Sequence, residues 1–299
     1  MKEKRILITG GTGLVGSTLI PMIQEKGFEP VLLSRTAGNK KGIKTYAWDP
    51  MHGHMDPAAL DGVTAIIHLA GATVAKRWTP RYKQEIMDSR VLSTRLLLNT
   101  LAANPHQVKT FVSASAIGIY PDHPDQLFAE SAPPANDFLG QVVQHWEREV
   151  SLIGALGLRT AMLRTGLVLS NSGGALAPIR TTVKWGLGSS LGSGRQWVSW
   201  IHVQDLCNMF LYAIKYPLEG PVNAVAPHPV PYRELVREVG RVLNRPILFP
   251  PVPAFLLKAL LGEMATVVLR SNKVASEKIQ EAGFQFDFDN LRAALEDVC

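Results

Sequence analysis

Ile6-Leu7-Ile8-Thr9-Gly10-Gly11-Thr12-Gly13-Leu14-Val15-Gly16 decides how this chain folds. An apolar run leads straight into glycines that satisfy two spacings at once, Gly11-x-Gly13-x-x-Gly16 and Gly10-x-x-Gly13-x-x-Gly16. One glycine lets the chain turn sharply, another lets the backbone approach a pyrophosphate, and the last lets a helix pack on a strand. A helix beginning near Leu14 presents unpaired N–H groups and its positive dipole end to phosphates. Glycine spacing alone is a weak signal; the strand pattern before it and the amphipathic pattern after it supply the missing context. The segment therefore predicts a Rossmann-type dinucleotide site made by Gly10, Thr12, Gly13, Leu14, Val15 and Gly16.

Working outward, the second strand, Pro30–Leu33, is followed by Ser34-Arg35. An NAD site usually places an acid here to accept hydrogen bonds from the ribose 2′-hydroxyl. An acid repels a 2′-phosphate, whereas Arg35 offers a charge-assisted fork and Ser34 a hydroxyl donor. The expected cofactor is NADP(H). Val63–Gly71 (VTAIIHLAG) is an apolar strand ending in a corner of small residues, Ala70 and Gly71, where backbone comes close to the adenosine half. His68, at the end of this buried strand, reads as structural.

Strand and helix patterns alternate through the first two thirds of the chain, which predicts parallel strands with crossover helices. Arg5–Thr9, Pro30–Leu33, Lys44–Trp48, Val63–Leu69, Thr110–Ser113 and Arg159–Arg164 read as strands; Leu14–Glu25, Pro80–Ala103 and Phe138–Ile153 read as helices. Trp200–Ile214 resumes a strand-turn-helix pattern and Val222–Ala226 is a further strand. Proline-punctuated helices follow at Tyr232–Leu243, Pro253–Leu269 and Lys273–Glu281. The expectation is an α/β fold: a Rossmann-type doubly wound parallel sheet with a smaller, mainly helical C-terminal lobe. Residues 1–170, completed by about 200–226, would form the NADP-binding domain, and 171–199 with 227–299 the substrate-side lobe.

Composition narrows the function classes. The 299 residues, 46% hydrophobic and 19% charged, describe a globular protein able to bury a sizeable core. The formal net charge of +6 is not gathered into basic runs interleaved with aromatics, so an anionic ligand accounts for it better than nucleic acid. Two cysteines, Cys207 and Cys299, give neither a disulfide framework nor metal-ligand spacing. The apolar stretch Pro251–Leu269 is interrupted by Lys258 and Glu263, which argues against a membrane span. A small-molecule substrate, no metal, no nucleic-acid or membrane partner and a cytoplasmic location are the expectations; the sequence leaves the oligomeric state open.

With these residues in view, the chain resembles the extended short-chain dehydrogenase/reductase superfamily. The resemblance is carried by the glycine loop, His68-Leu69-Ala70-Gly71, the Ser113–Tyr120 strand end and Trp200-Ile201-His202-Val203-Gln204-Asp205. More closely, it resembles the atypical "epimerase family" branch, often described as sugar-nucleotide epimerase. The closer likeness lies in Arg77-Trp78-Thr79, Asp88-Ser89-Arg90, Asp137-Phe138-Leu139 with Trp146-Glu147, Gly192 to Trp197, and the tail from Pro251 through Gly283-Phe284. This resemblance implies that Ser34, Arg35, Leu69 and Ala70 line the adenosine side. It also implies that Glu85 and Arg90 face the cofactor from the long helix, with Val168 beyond the sixth strand. Spacing alone would make Glu85 and Arg90, offset around the helix, a solvated charged face.

Hydride-transferring members of the superfamily usually carry Tyr-x-x-x-Lys on a helix, where the ammonium lowers the phenol's pKa, with Ser or Thr on the preceding strand. Here the corresponding positions, counted back from Glu147, hold Leu139 and Val143. Neither transfers a proton. Ser115 stands at the serine position if one residue is inserted before Tyr120; without the insertion that position is Ala116. Ser115 and Tyr120 are the remaining catalytic candidates, Tyr120 having packing or substrate binding as its alternative, and His145 reads as a surface histidine. In the glycine-rich Gly186–Asp205 segment, Arg195 is a candidate clamp for phosphate or carboxylate. Trp197, or Trp200, is a candidate ring-stacking partner, with lobe packing as the alternative. Two functions follow: an NADP(H)-dependent oxidoreductase or epimerase acting on a small carbonyl or nucleotide sugar, or a non-catalytic NADP(H)-binding structural or redox-sensing protein.

Overall fold

The structure, a computed structural model, describes residues 4–40 and 42–299. Its first strand shows why the chain forms a two-sided layer. In β1 (Arg5–Thr9), Ile6 and Ile8 point to one face of the sheet and Leu7 to the other, and all three are fully buried. A strand covered on both faces carries no polar alternation, as a parallel sheet requires. The segments that follow are α1 (Leu14–Glu25), β2 (Glu29–Ser34), β3 (Gly38–Lys40), β4 (Ile43–Asp49), β5 (His54–Met55), β6 (Val63–His68), α2 (Pro80–Ala103) and β7 (Thr110–Ala116). Then come β8 (Leu127–Phe128), α3 (Phe138–Gly154), β9 (Arg159–Thr165), β10 (Leu167–Leu169), α4 (Leu176–Lys184), β11 (Trp197–Val198), β12 (Trp200–His202), α5 (Val203–Lys215) and β13 (Gly220–Ala224).

The main sheet runs in the order β13-β9-β7-β6-β1-β2-β4-β3. Its strands are parallel except at the β4 edge, where β3 and β5 pair antiparallel. Helices α1 and α5 cover the face that receives Ile6 and Ile8, and α2 and α3 cover the face that receives Leu7. The strand order reverses between β1 and β6. In doubly wound sheets the ligand crevice opens at this switch point, outside the carboxyl ends of the strands. The glycine loop and His68-Leu69-Ala70-Gly71 lie at those two strand ends. The expected α/β class with its Rossmann-type sheet and helical C-terminal region is what the structure shows.

The C-terminal region consists of β14 (Val230–Pro231), α6 (Tyr232–Val242), α7 (Ala254–Leu261), α8 (Ala265–Leu269), β15 (Lys273–Val274), α9 (Glu277–Glu281) and α10 (Leu291–Val298). Three sequence expectations change here. The helix expected over Pro253–Leu269 is divided, because Gly262 takes a left-handed φ of 61° after α7 and a short 3-10 turn precedes α8. Lys273-Val274 is a strand paired with Leu127-Phe128, and only Glu277–Glu281 of that expected helix is helical. The final helix, not expected, is capped by Asn290, which accepts from the amides of Arg292 and Ala293; its Leu291, Ala294, Leu295 and Val298 fill the lobe core. Among the described residues no helix is long and apolar enough to cross a membrane.

Candidate functional site

The crevice is built first from glycines that stand where no side chain fits. Gly10 has a φ of 66°, and a Cβ there would lie 2.8 Å from the Leu69 carbonyl carbon. A Cβ on Gly16 would lie 2.6 Å from the Gly10 oxygen, so this residue seats α1 against the loop. Gly13 differs: its hypothetical Cβ meets only the Gly10 oxygen, at 3.2 Å, and otherwise faces open space. It is also the N-cap of α1, and no side chain caps the helix. The first-turn amides from Leu14 onward, which a helix always leaves unpaired, are thus offered to a ligand at an open backbone surface. Thr12 is exposed, Leu14 and Val15 half-buried.

The opposite wall is fixed by a chain of hydrogen bonds. Thr9 Oγ1 accepts the amides of Leu69 and Ala70 (3.0 and 3.1 Å) and lies 2.8 Å from His68 Nδ1. With its acceptor capacity used, Thr9 donates to Nδ1, and His68 donates through Nε2 toward Ser93 and Thr94 (3.2 and 3.1 Å). Those two hydroxyls in turn donate to carbonyls of α2. Burial holds His68 neutral, its pKa pulled down to about 3, with the charge of Arg90 adding to the effect. The structural reading of His68 agrees with this geometry: the imidazole locks the ends of β1 and β6 to α2.

Beyond that wall lies Arg90. Its guanidinium packs against Gly71, donates to the Ile86 carbonyl (2.9 Å) and sits over the Trp146 ring at 5.3 Å. Burial lowers its pKa to about 10, and no carboxylate among the described residues counters the charge. Glu85, on the same helix, is exposed and does not act on the Arg90 charge. On the other side, the Gly173-Gly174 turn after β10 closes on the first turn of α1: a Cβ on Gly174 would lie 2.9 Å from Leu14 Cδ2 and 3.8 Å from the Val168 oxygen. Val168 and Leu14 are therefore neighbours across the crevice mouth. At the end of β2, Ser34 is half-buried and Arg35 exposed. Sequence reasoning passed over Lys40, whose Nζ donates to Ser34 Oγ at 2.5 Å. The signal was the turn glycine at Gly42 (φ 82°), which folds β3 back along β4.

The two catalytic candidates are directed elsewhere. Ser115 is buried and donates to Glu147 Oε1 at 2.5 Å. Tyr120 is fully buried; its hydroxyl donates to Asn223 Oδ1 (2.6 Å) and accepts from Arg164 (2.9 Å), and its ring stacks on Phe128. Burial raises the phenol's pKa, outweighing the opposing effect of Arg164. Ser115 is 4% exposed and Tyr120 has no accessible surface, and each completes a buried polar network. The network centres on the Arg164–Glu147 pair (2.8 Å), which the sequence did not reveal because its partners sit on β9 and α3. Leu139 packs beside Gly118 and against the cluster of Trp78, Ile86 and Val142, and Val143 is buried in the cluster that holds Tyr120. His145 is exposed, its ring bonded to the Gln141 carbonyl, in keeping with a surface histidine.

In the glycine-rich segment, Arg195 is exposed and its amide bonds Ser193 Oγ. Trp197 is half-buried, with Lys273 Nζ 4.4 Å from its ring centroid. Trp200 is fully buried and donates to the His228 carbonyl; it packs the lobe.

A sheet reversal over a glycine loop, with an uncapped helix aimed across it, defines a Rossmann-type dinucleotide-binding protein. The chain belongs to the NAD dependent epimerase/dehydratase family, whose model matches residues 6–226; residues 252–298 match a domain of unknown function, DUF1731. It is 38% identical over 298 residues to an epimerase family protein of Staphylococcus haemolyticus, and 39% identical over 300 residues to one of Staphylococcus aureus, covering 99% of each chain. Among solved structures it is similar to human epimerase family protein SDR39U1 (isoform 2) with NADPH, at a TM-score of 0.89 and 30% identity over 98% of both chains. The UDP-N-acetylglucosamine 4-epimerase of Bacillus cereus shares the fold at a TM-score of 0.79 and 20% identity, over 99% of this chain and 98% of that one. The resemblance to the epimerase-family branch of the extended short-chain dehydrogenases/reductases is thereby borne out.

Proposed function

We propose that the chain is a cytoplasmic NADP(H)-dependent oxidoreductase or epimerase acting on a small carbonyl or nucleotide-linked sugar. The observation that carries the choice of NADP(H) is Ser34-Arg35 at the end of β2, a donor and a cation where an NAD site has an acid. The open backbone at Gly13 and the uncapped N-terminus of α1 fit a pyrophosphate. In this reading Gly10 through Gly16 hold the pyrophosphate, and Leu69, Ala70 and Gly71 cover the adenosine side. Val168, Glu85 and Arg90 flank the nicotinamide half, where the uncompensated guanidinium suits an anionic ligand. When bound, the cofactor supplies a hydride donor or acceptor at the nicotinamide ring. Arg195 and Trp197 are proposed to contact substrate from the second lobe.

Leu139 and Val143 move no proton, and Ser115 and Tyr120 face inward. The same facts favour the second reading, a non-catalytic NADP(H)-binding protein. The two are separated by incubating the pure chain with NADPH or NADP+ and a panel of carbonyls and nucleotide sugars, following nicotinamide absorbance and product identity. The enzyme reading expects cofactor-dependent product from at least one member of the panel. Stabilisation by NADPH with no turnover across the panel would transfer the conclusion to the second reading.

A further inference from the structure

Lys40 plays no part in the cofactor loop described so far, yet its ammonium is bonded to the one hydroxyl at the end of β2. We propose that Lys40 is a specificity-determining residue that, with Ser34 and Arg35, forms a three-donor clamp for the 2′-phosphate of NADP(H); the proposal rests on the NADP(H) reading above.

The placement follows from local structure. After Ser34 the chain leaves β2, runs through residues 35–37 and enters β3, which pairs antiparallel with β4 through Gly38↔Thr45, Asn39↔Lys44 and Lys40↔Ile43. The left-handed turn at Gly42 closes this hairpin, and the hairpin holds Lys40 in reach of Ser34 although they are six residues apart. A lysine ammonium has three donors and no acceptor. One is used on Ser34 Oγ, so two remain for a ligand. That bond also occupies a lone pair of the hydroxyl, which leaves Ser34 to act as a donor. Arg35 adds a guanidinium, again donors only.

The end of β2 is therefore a set of donors, two of them cationic. A ribose 2′-hydroxyl offers this set little, because it is held in NAD sites by an acceptor carboxylate. A 2′-phosphomonoester carries about −1.5 to −2 charge at pH 7 with three acceptor oxygens, which matches all three groups. Lys40 differs from Arg35 in that it acts both directly and through the hydroxyl it orients.

The test is the affinity of the full chain for NADPH and for NADH, by calorimetry, in wild type, Lys40→Met, Lys40→Arg and Arg35→Ala, with the melting temperature of each unliganded variant checked first. Lys40→Met should weaken NADPH about tenfold, a loss equivalent to about 1.4 kcal/mol, leave NADH unchanged, and be largely rescued by Lys40→Arg. Raising salt should narrow the difference between wild type and Lys40→Met. If wild type prefers NADPH and Lys40→Met keeps that preference, Lys40 has no such role and the NADP(H) reading survives. If Lys40→Met weakens both cofactors equally, the residue shapes the loop and does not read the phosphate. Equal affinities of wild type for the two cofactors would overturn the NADP(H) reading and the clamp together.

Discussion

His68 shows how much a single residue's role depends on what surrounds it. Its position at the end of an apolar strand made a structural role legible in the sequence; its partners Thr9, Ser93 and Thr94 were not, since they come from two other elements. The consequence is measurable. The folded imidazole resists protonation down to about pH 3, whereas the unfolded one takes up a proton near its ordinary 6.5. Its contribution is therefore complete above pH 6.5 and falls as pH drops toward 3, by about 1.4 kcal/mol per unit. Asp205 works in the opposite sense: burial raises its carboxyl to about 6, so acidification through that range relieves a cost. Because the two partly offset, the comparison to make is wild type against His68→Asn by denaturant unfolding. The stability gap between them should shrink by roughly 2 kcal/mol from pH 6.5 to 5; a gap independent of pH would contradict a buried neutral imidazole. Ser115 and Tyr120 mark the limit of reading single residues. A hydroxyl's residue type says what it can do, and only its burial says whether a substrate can reach it.

Among the elements, β1, the glycine loop and α1 were the most legible, because strand, turn and helix each leave a local pattern and the three patterns agree. The structure separates glycines that look alike in sequence. Gly16→Ala puts a Cβ against the Gly10 oxygen at 2.6 Å and should destabilise the unliganded chain, lowering its melting temperature by several degrees. Gly13 has an ordinary φ of −79°, and a Cβ there would meet only the Gly10 oxygen, at 3.2 Å, a tight approach that a shift of a few tenths of an ångström relieves. Gly13→Ala should therefore lower the unliganded melting temperature less than Gly16→Ala does, while weakening NADPH binding tenfold or more if the added methyl stands where the pyrophosphate approaches. Thermal melts with and without NADPH read both effects, and a Gly13→Ala variant that still gains full stabilisation from NADPH would contradict the placement. The C-terminal helices were less legible. Gly262 lies in an otherwise helical pattern, and β15 is a strand only because Val274 finds Phe128, far away in the chain. The Lys40–Ser34 contact was hidden likewise, its geometry set by a hairpin at the sheet edge.

At the scale of the whole molecule, the sheet and the C-terminal region are joined by a buried polar network. Arg164 on β9 pairs with Glu147 on α3 and bonds Tyr120 and the Glu130 carbonyl, while Asn223 on β13 receives the Tyr120 hydroxyl and donates to the Ala275 carbonyl ahead of α9. Glu147→Gln removes the countercharge from an almost fully buried guanidinium and should cost about 3–5 kcal/mol. Replacing both partners, as Glu147→Leu with Arg164→Met, should cost less than the single change, and a double variant as unstable as the two losses summed would contradict the pairing. The α/β class and the cofactor crevice were legible in the sequence because they rest on local periodicity and glycine spacing. The proton-transfer positions were half legible: Leu139 and Val143 stand in the sequence, but only the fold shows Ser115 and Tyr120 bonded within a buried network.

The central claim is that the end of β2 selects a phosphorylated adenosine ribose. Calorimetric titration of the wild-type chain with NADP+ and NAD+ in the same buffer tests it most directly. NADP+ should bind at least tenfold more tightly, with the difference shrinking in Arg35→Ala; equal affinities, or a preference for NAD+, would contradict it.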